Sequence, residues 1–225
     1  MLMFHNRLAV SAFIHTFASE SKLVLSQKTI RMMKTIGSFL LMLLLLCTTA
    51  TAQNLSKQYD EAKALYDQKK YAEAFPKFQN LAKQGHKKSQ YRLGRCYDKG
   101  HGTSENDEKA FYWYKKSADQ GYAKAQYQVG KCYKDGEGVD KDRVKAFEFF
   151  KKAAYQDYAK AQLAVGKCYM KGKGTKMDQA KARSYFLKAW NNEDLEDRKD
   201  IRDDLQKDAR EGDEDAIKIL KIVGK

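Results

Sequence analysis

The stretch Tyr122-Ala-Lys-Ala125-Gln126-Tyr-Gln-Val129-Gly130-Lys131-Cys132-Tyr133-Lys-Asp-Gly136-Glu-Gly138 decides the fold, because the chain writes it three times. Residues 86–121, 122–157 and 158–193 align as blocks of 36 without a gap; the first two share 15 positions and the last two share 18. Gly94, Gly130 and Gly166 fall in one column, and Cys96, Cys132 and Cys168 in another, followed by Tyr97, Tyr133 and Tyr169. Two more glycine columns hold Gly100, Gly136, Gly172 and Gly102, Gly138, Gly174. Self-similarity at a fixed period of this length marks a repeat array.

Within a block the apolar spacing is helical. Ala125, Val129, Cys132 and Tyr133 stand at i, i+4, i+7 and i+8, and Ala146, Phe150, Ala153 and Ala154 repeat that spacing. The glycines of Lys134-Asp-Gly-Glu-Gly-Val139 separate the two stripes and allow the left-handed turn that ends one helix. Each block is therefore a helical hairpin. One hairpin cannot bury its own apolar stripe, so copies must stack. The expected fold is all-α, a right-handed superhelical solenoid of antiparallel helix pairs.

The columns of residues 125–139, continued by Lys145-Ala-Phe-x-x-Phe-x-Lys-Ala-Ala154 and by Lys109-Ala-Phe-Tyr-Trp-Tyr-Lys-Lys-Ser-Ala-Asp-Gln-Gly121, resemble the Sel-one-like repeat (SLR) family, relatives of tetratricopeptide repeats. The resemblance covers residues 86–193. Residues 53–85, with Tyr71-Ala-Glu-Ala-Phe75 opening a second helix, are similar to a tetratricopeptide-type pair. Pro76 predicts a kink or a late helix start there. Asp157 and Glu193 stand where Gly121 closes the first block, so those ends are expected to be capped differently. After Trp190 the period fails. Residues 194–225 read as capping helices, with Leu195, Ile201, Leu205 and Ala209 as a thin stripe and Gly212–Ile217 echoing a repeat start.

Ile36–Cys47 is twelve residues of nearly pure hydrocarbon after Lys34 and before Ala50-Thr51-Ala52. At about 1.5 Å per residue it is too short for the roughly 30 Å membrane core. Residues 32–52 thus read as a secretory signal cleaved between Ala52 and Gln53, which places the protein in the periplasm or outside the cell. An uncleaved anchor and a lipidated Cys47 are the competing readings. Residues 1–31 precede this signal, and translation is expected to start at Met32 or Met33.

Composition limits the function classes. The 225 residues carry a net charge of +14, with 43% hydrophobic and 32% charged residues and a single proline, a soluble helical balance. No metal-ligand cluster, phosphate loop or catalytic constellation stands out, so no catalytic, cofactor or metal residue is assigned. Equivalent cysteines of stacked repeats lie roughly 8–10 Å apart or more, beyond the ~7 Å Cα separation a disulfide tolerates, so Cys96, Cys132 and Cys168 read as small core residues. His86 and His101 read as exposed loop residues, and Phe111–Tyr114 as core.

Charges that recur in register are the candidate site. Lys88, Lys124 and Lys160 form one column, and Arg95, Lys131 and Lys167 form another seven residues on. Seven residues turn a helix through about 700°, so both columns share a face and stacking makes them a basic ladder. A second set comprises Lys109, Lys145, Lys181 and Lys116, Lys152, Lys188. Solvated lysine is the plain reading; the sharper one is a ladder facing an acidic protein or an anionic envelope polymer. Export argues against nucleic acid, and membrane contact is expected only through the signal. The resemblance implies a scaffold for protein partners rather than an enzyme. Some cysteine-rich members of that family are linked to β-lactams, so the alternative is an enzyme or binder acting on the cell wall. This chain, however, has one cysteine per repeat and no Ser-x-x-Lys motif after residue 52.

Overall fold

The period of 36 is realised as helix pairs in the computed structural model, which describes residue 35, residues 53–192 and residues 194–224. The upstream segment, the apolar run Ile36–Cys47, the expected cleavage site after Ala52 and Glu193 lie outside the described residues. The chain divides into Met1–Asn54 and Leu55–Lys225, and the second unit is the one that carries the repeats. It begins with α1, helical through residues 55–67, and α2 (Tyr71–Lys83). Three pairs follow: α3 (Lys87–Lys99) with α4 (Asp107–Asp119), α5 (Ala123–Asp135) with α6 (Arg143–Ala154), and α7 (Ala159–Lys171) with α8 (Gln179–Trp190). Then come α9 (Leu195–Arg210) and α10 (Glu214–Val223). Among the described residues there is no strand, and the fold is an all-α solenoid of antiparallel helix pairs.

Local signals set each helix end. α4, α6 and α8 start at Asn106, Asp142 and Asp178, whose side chains accept the N–H of Lys109, Lys145 and Lys181 at 2.7, 2.9 and 2.9 Å. α3, α5 and α7 stop at Gly100, Gly136 and Gly172, each left-handed and each donating its N–H to the carbonyl of the repeat's cysteine. Asp157 does not change the cap expected at its position. Its φ of 56° is the left-handed conformation that Gly121 adopts at 79°, a backbone state aspartate tolerates better than most residues. Pro76 does not delay α2, which begins at Tyr71 with the proline in its second turn. A helical proline costs about 3 kcal/mol. Full burial of Phe78 and Leu81 stabilises by roughly 1.5–3 kcal/mol each, so packing wins.

The two stripes predicted from spacing within a block are buried, except Tyr133, which is partly buried. Ala125, Val129 and Cys132 of α5 and Ala146, Phe150, Ala153 and Ala154 of α6 all lie in the core. Inside each hairpin the second helix rests on bare glycine backbone: a Cβ on Gly130 would sit 2.6 Å from the Phe150 ring, and one on Gly94 2.6 Å from Tyr114. Between hairpins runs a column of buried amides. Gln90, Gln126 and Gln162 are nearly inaccessible. Gln90 and Gln126 donate to the carbonyls of Ala82 and Ala118 on the preceding helix, at 3.1 and 3.3 Å. Gln120, Gln156 and Asn192 then donate to Gln90, Gln126 and Gln162. This satisfies polar groups that would each cost about 1–3 kcal/mol if buried alone.

His86 and His101 are not exposed loop residues. His101 stacks on Tyr71 at 3.9 Å, and its Nδ1 lies 2.8 Å from the Tyr66 hydroxyl. His86 pairs through Nδ1 with Ser89 Oγ at 2.8 Å and packs on Tyr59, and burial lowers its pKa. Aromatic neighbours from the first hairpin draw both in. Phe111–Tyr114 is largely core, with Tyr114 buried, Phe111 edge-on to Tyr133, and Tyr112 half exposed.

Candidate functional site

The two recurring basic sets lie in different surroundings. Lys145 and Lys181 fold back onto their own N-cap carboxylates, Asp142 and Asp178, at 3.1 and 3.0 Å. Hydrogen bonding from the backbone N–H and then the ammonium of Lys145 holds the Asp142 carboxyl below the ordinary carboxylate range. Lys109, Lys145 and Lys181 each stand 5.5 Å over the tyrosine of their neighbouring Gly-x-Cys-Tyr segment. This set stabilises helix starts and covers rings.

The candidate ladder is divided among three surroundings. Lys88 sits over Tyr59 at 5.9 Å and Arg95 over Tyr66 at 6.0 Å, so α1 occupies that end. Lys124 is exposed. Lys131, Lys160 and Lys167 come together in one groove of about 420 Å³ between α5 and α7. Its floor is apolar, made by Ala146 and Phe150 of α6 with Leu163 and Ala164 of α7.

Recurrence along the sequence marks only three of the eight basic residues of this groove. Lys134 extends the α5 bank and Lys171 the α7 bank, while Lys141, Arg143 and Lys173 enter from the loops and the start of α6. The lining holds eight basic residues against two carboxylates, Asp135 and Asp215. None of the missed cations recurs in all three copies. Where the second repeat has Asp135-Gly-Glu137, the third has Lys171-Gly-Lys173, and that reversal of sign was the readable signal. Lys134 pairs with Asp135 at 3.2 Å, Lys160 with Asp200 of α9 at 3.0 Å, and Lys171 with Asp215 of α10. Lys131, Lys167, Lys141, Arg143 and Lys173 make no ion pair among the described residues. Low-dielectric walls and one sign of charge concentrate anions in such a cleft. A wider depression of about 720 Å³ lies beside Gln156, Gln162 and Asn192, but those amides already bond to the amide column.

Cys168 lines the groove, while Cys96 and Cys132 are buried, and all three are free thiols. Burial pushes their pKa values up to about 11, 11 and 12 for Cys96, Cys168 and Cys132. A thiol held protonated is a poor nucleophile and a poor metal ligand, and among the described residues no cluster of three or more histidine, cysteine or carboxylate groups is placed to hold a metal ion. A pH dependence follows. A folded pKa raised above the ordinary 9.0 stabilises the fold below pH 9, and this contribution disappears as pH climbs through about 12. Relative to a Cys132→Val variant, the native protein should hold its urea midpoint up to pH 9 and lose ground above it. A pH-independent difference would contradict the buried-thiol assignment.

Comparison with known proteins follows the same geometry. The Sel1 repeat family model matches residues 87–122, 123–158 and 159–192, each starting one residue later than the block read from the sequence. The crystal structure of a Sel1 repeat protein from Oxalobacter formigenes is similar at 35% identity, covering 61% of this chain and 56% of that one, with a TM-score of 0.57. A protective antigen of uropathogenic Escherichia coli strains displaying an SLR fold is similar at 24% identity over 76% of this chain and 40% of that one, with a TM-score of 0.56. The chain thus spans about half the length of these two structures. A search of curated proteins gave no match.

Proposed function

From the premise that residues 87–192 are three Sel1 repeats, we propose that the chain is an exported scaffold that holds protein partners in the cell envelope. Sel1 repeat proteins generally mediate protein–protein interaction and are typically non-catalytic. The observation that carries the reading here is the groove between α5 and α7, where stacking turns separate lysines into one cationic surface. Its mechanism is geometric. A mostly preformed array loses little conformational entropy on binding, so several modest contacts sum to useful affinity. Export rests on the apolar run at 36–47 and the Ala-Thr-Ala site before Gln53; an acidic partner rests on the sign of the groove.

A photo-crosslinking residue placed at Leu163 in the groove tests the scaffold role. Expected are protein adducts in living cells that weaken when Lys124, Lys131, Lys160 and Lys167 are all changed to glutamine. The same probe at Tyr112, outside the groove, should give fewer. No protein adduct from either position would overturn the role. N-terminal sequencing of the isolated protein should begin at Gln53; a start upstream would remove the cleaved signal.

A further inference from the structure

The groove combines two demands that few ligands meet together. Its banks need negative charge, because Lys131, Lys167, Lys173 and Arg143 converge without ion-pair partners among the described residues. Its floor needs an apolar group, since Phe150, Ala146, Leu163 and Ala164 lie between the banks. A uniformly charged polymer would answer the banks and leave the floor unmatched. A purely apolar ligand would strand the cations.

The chain itself shows which carriers of charge suit these lysines. At one end of the groove Lys160 is met by Asp200 of α9, at 3.0 Å, and Lys171 is met by Asp215 of α10. Both are carboxylates borne on polypeptide. α5 and α7 both pack on α6 rather than on each other, and with packed helices roughly 8–10 Å apart the banks are separated by at most about 20 Å, the reach of about six extended residues at ~3.3 Å each. A short extended stretch therefore crosses from one bank to the other and places a central side chain over the floor.

Resting on the scaffold reading, we infer that the groove takes an extended acidic segment of a partner protein. One apolar side chain seats on Phe150, Leu163 and Ala164, and flanking carboxylates pair with Lys131, Lys167, Lys173 and Arg143. Charge selects the segment, and the apolar seat distinguishes it from other polyanions.

Fluorescence anisotropy on the purified protein tests this with a labelled heptapeptide that has leucine at its centre and glutamate on both sides. It should bind more tightly than an all-glutamate heptapeptide, a leucine-centred lysine heptapeptide, or polyphosphate of equal charge. Lys131→Gln with Lys167→Gln should weaken it at least about tenfold, and Leu163→Asp should do likewise. Lys152→Gln with Lys188→Gln removes as much charge outside the groove and should leave affinity unchanged. Circular dichroism would confirm that each variant keeps its helix content. Equal weakening by the outside pair would reduce the effect to net charge and overturn the inference. Equal or tighter binding of polyphosphate or all-glutamate would assign the groove to anionic polymers instead. Crosslinked partners in cells without groove-dependent peptide binding would remove this inference and leave the scaffold standing; groove-dependent peptide binding without any protein adduct would do the reverse.

Discussion

Alanine at Gly138 is expected to weaken the fold by about 2–5 kcal/mol and to loosen the α5–α6 hairpin from the α3–α4 hairpin. Gly138 lies in the turn between α5 and α6, with φ at +67°. A Cβ added there would meet the backbone of the preceding hairpin, driving into the carbonyl of Asp107 and lying 2.8 Å from the nitrogen of Glu108. The left-handed conformation alone costs a residue with a side chain roughly 1–2 kcal/mol. Overpacking adds about 1–3 kcal/mol, and backbone cannot evade it by changing rotamer. Gly121 supplies the control. Its φ of +79° is similar, yet no atom lies within 4 Å of its added Cβ, so Gly121→Ala should show the conformational cost alone. Urea titrations followed by circular dichroism give both losses, and their difference measures the contact between hairpins. Because stability in a repeat array sums repeat and interface contributions, Gly138→Ala should also broaden the transition. Equal losses at the two positions would show that the turn does not bear on its neighbour.

How much of this was legible depends on what recurs. The hairpins and buried stripes could be read because the same constraint acts on every copy, so Ala125 and Ala161 or Val129 and Val165 announce one another. The amide column was visible as a repeated glutamine, but its purpose was not. Gln126 matters through the Ala118 carbonyl, which only stacking brings within reach. Asp157 hid its conformation behind an unlike side chain. The groove was only partly legible for the opposite reason. Lys131, Lys160 and Lys167 recur, whereas Lys173 and Arg143 occur where the copies differ, and a search for recurrence passes over them. Lys88 and Arg95 satisfy the same columns yet face α1, because the end of an array has a different neighbour from its middle.

The end opposite α1 should matter most for stability. Ending the chain after Trp190 is expected to remove about 5–9 kcal/mol, the range of a whole domain's stability. α9 and α10 bury Ile201, Leu205 and Ile219 against Phe186, Ala189 and Trp190. Each such side chain stabilises by roughly 1.5–3 kcal/mol when fully buried. The truncated protein should therefore melt earlier, bind a dye for exposed apolar surface, and associate on a sizing column. The acidic residues of α9 and α10 invite another explanation, that the cap holds by charge through Lys160–Asp200 and Lys171–Asp215. Magnitudes decide against it. Both pairs are partly open to solvent, and such pairs contribute about 0–1 kcal/mol. Asp200→Asn with Asp215→Asn should thus move the urea midpoint little, while Ile201→Ala alone should cost about 2–5 kcal/mol. If the asparagine pair destabilised as much as Ile201→Ala, the cap would be electrostatic. Its apolar stripe would then be incidental, and the groove beside it would be held open by the same ion pairs that flank it.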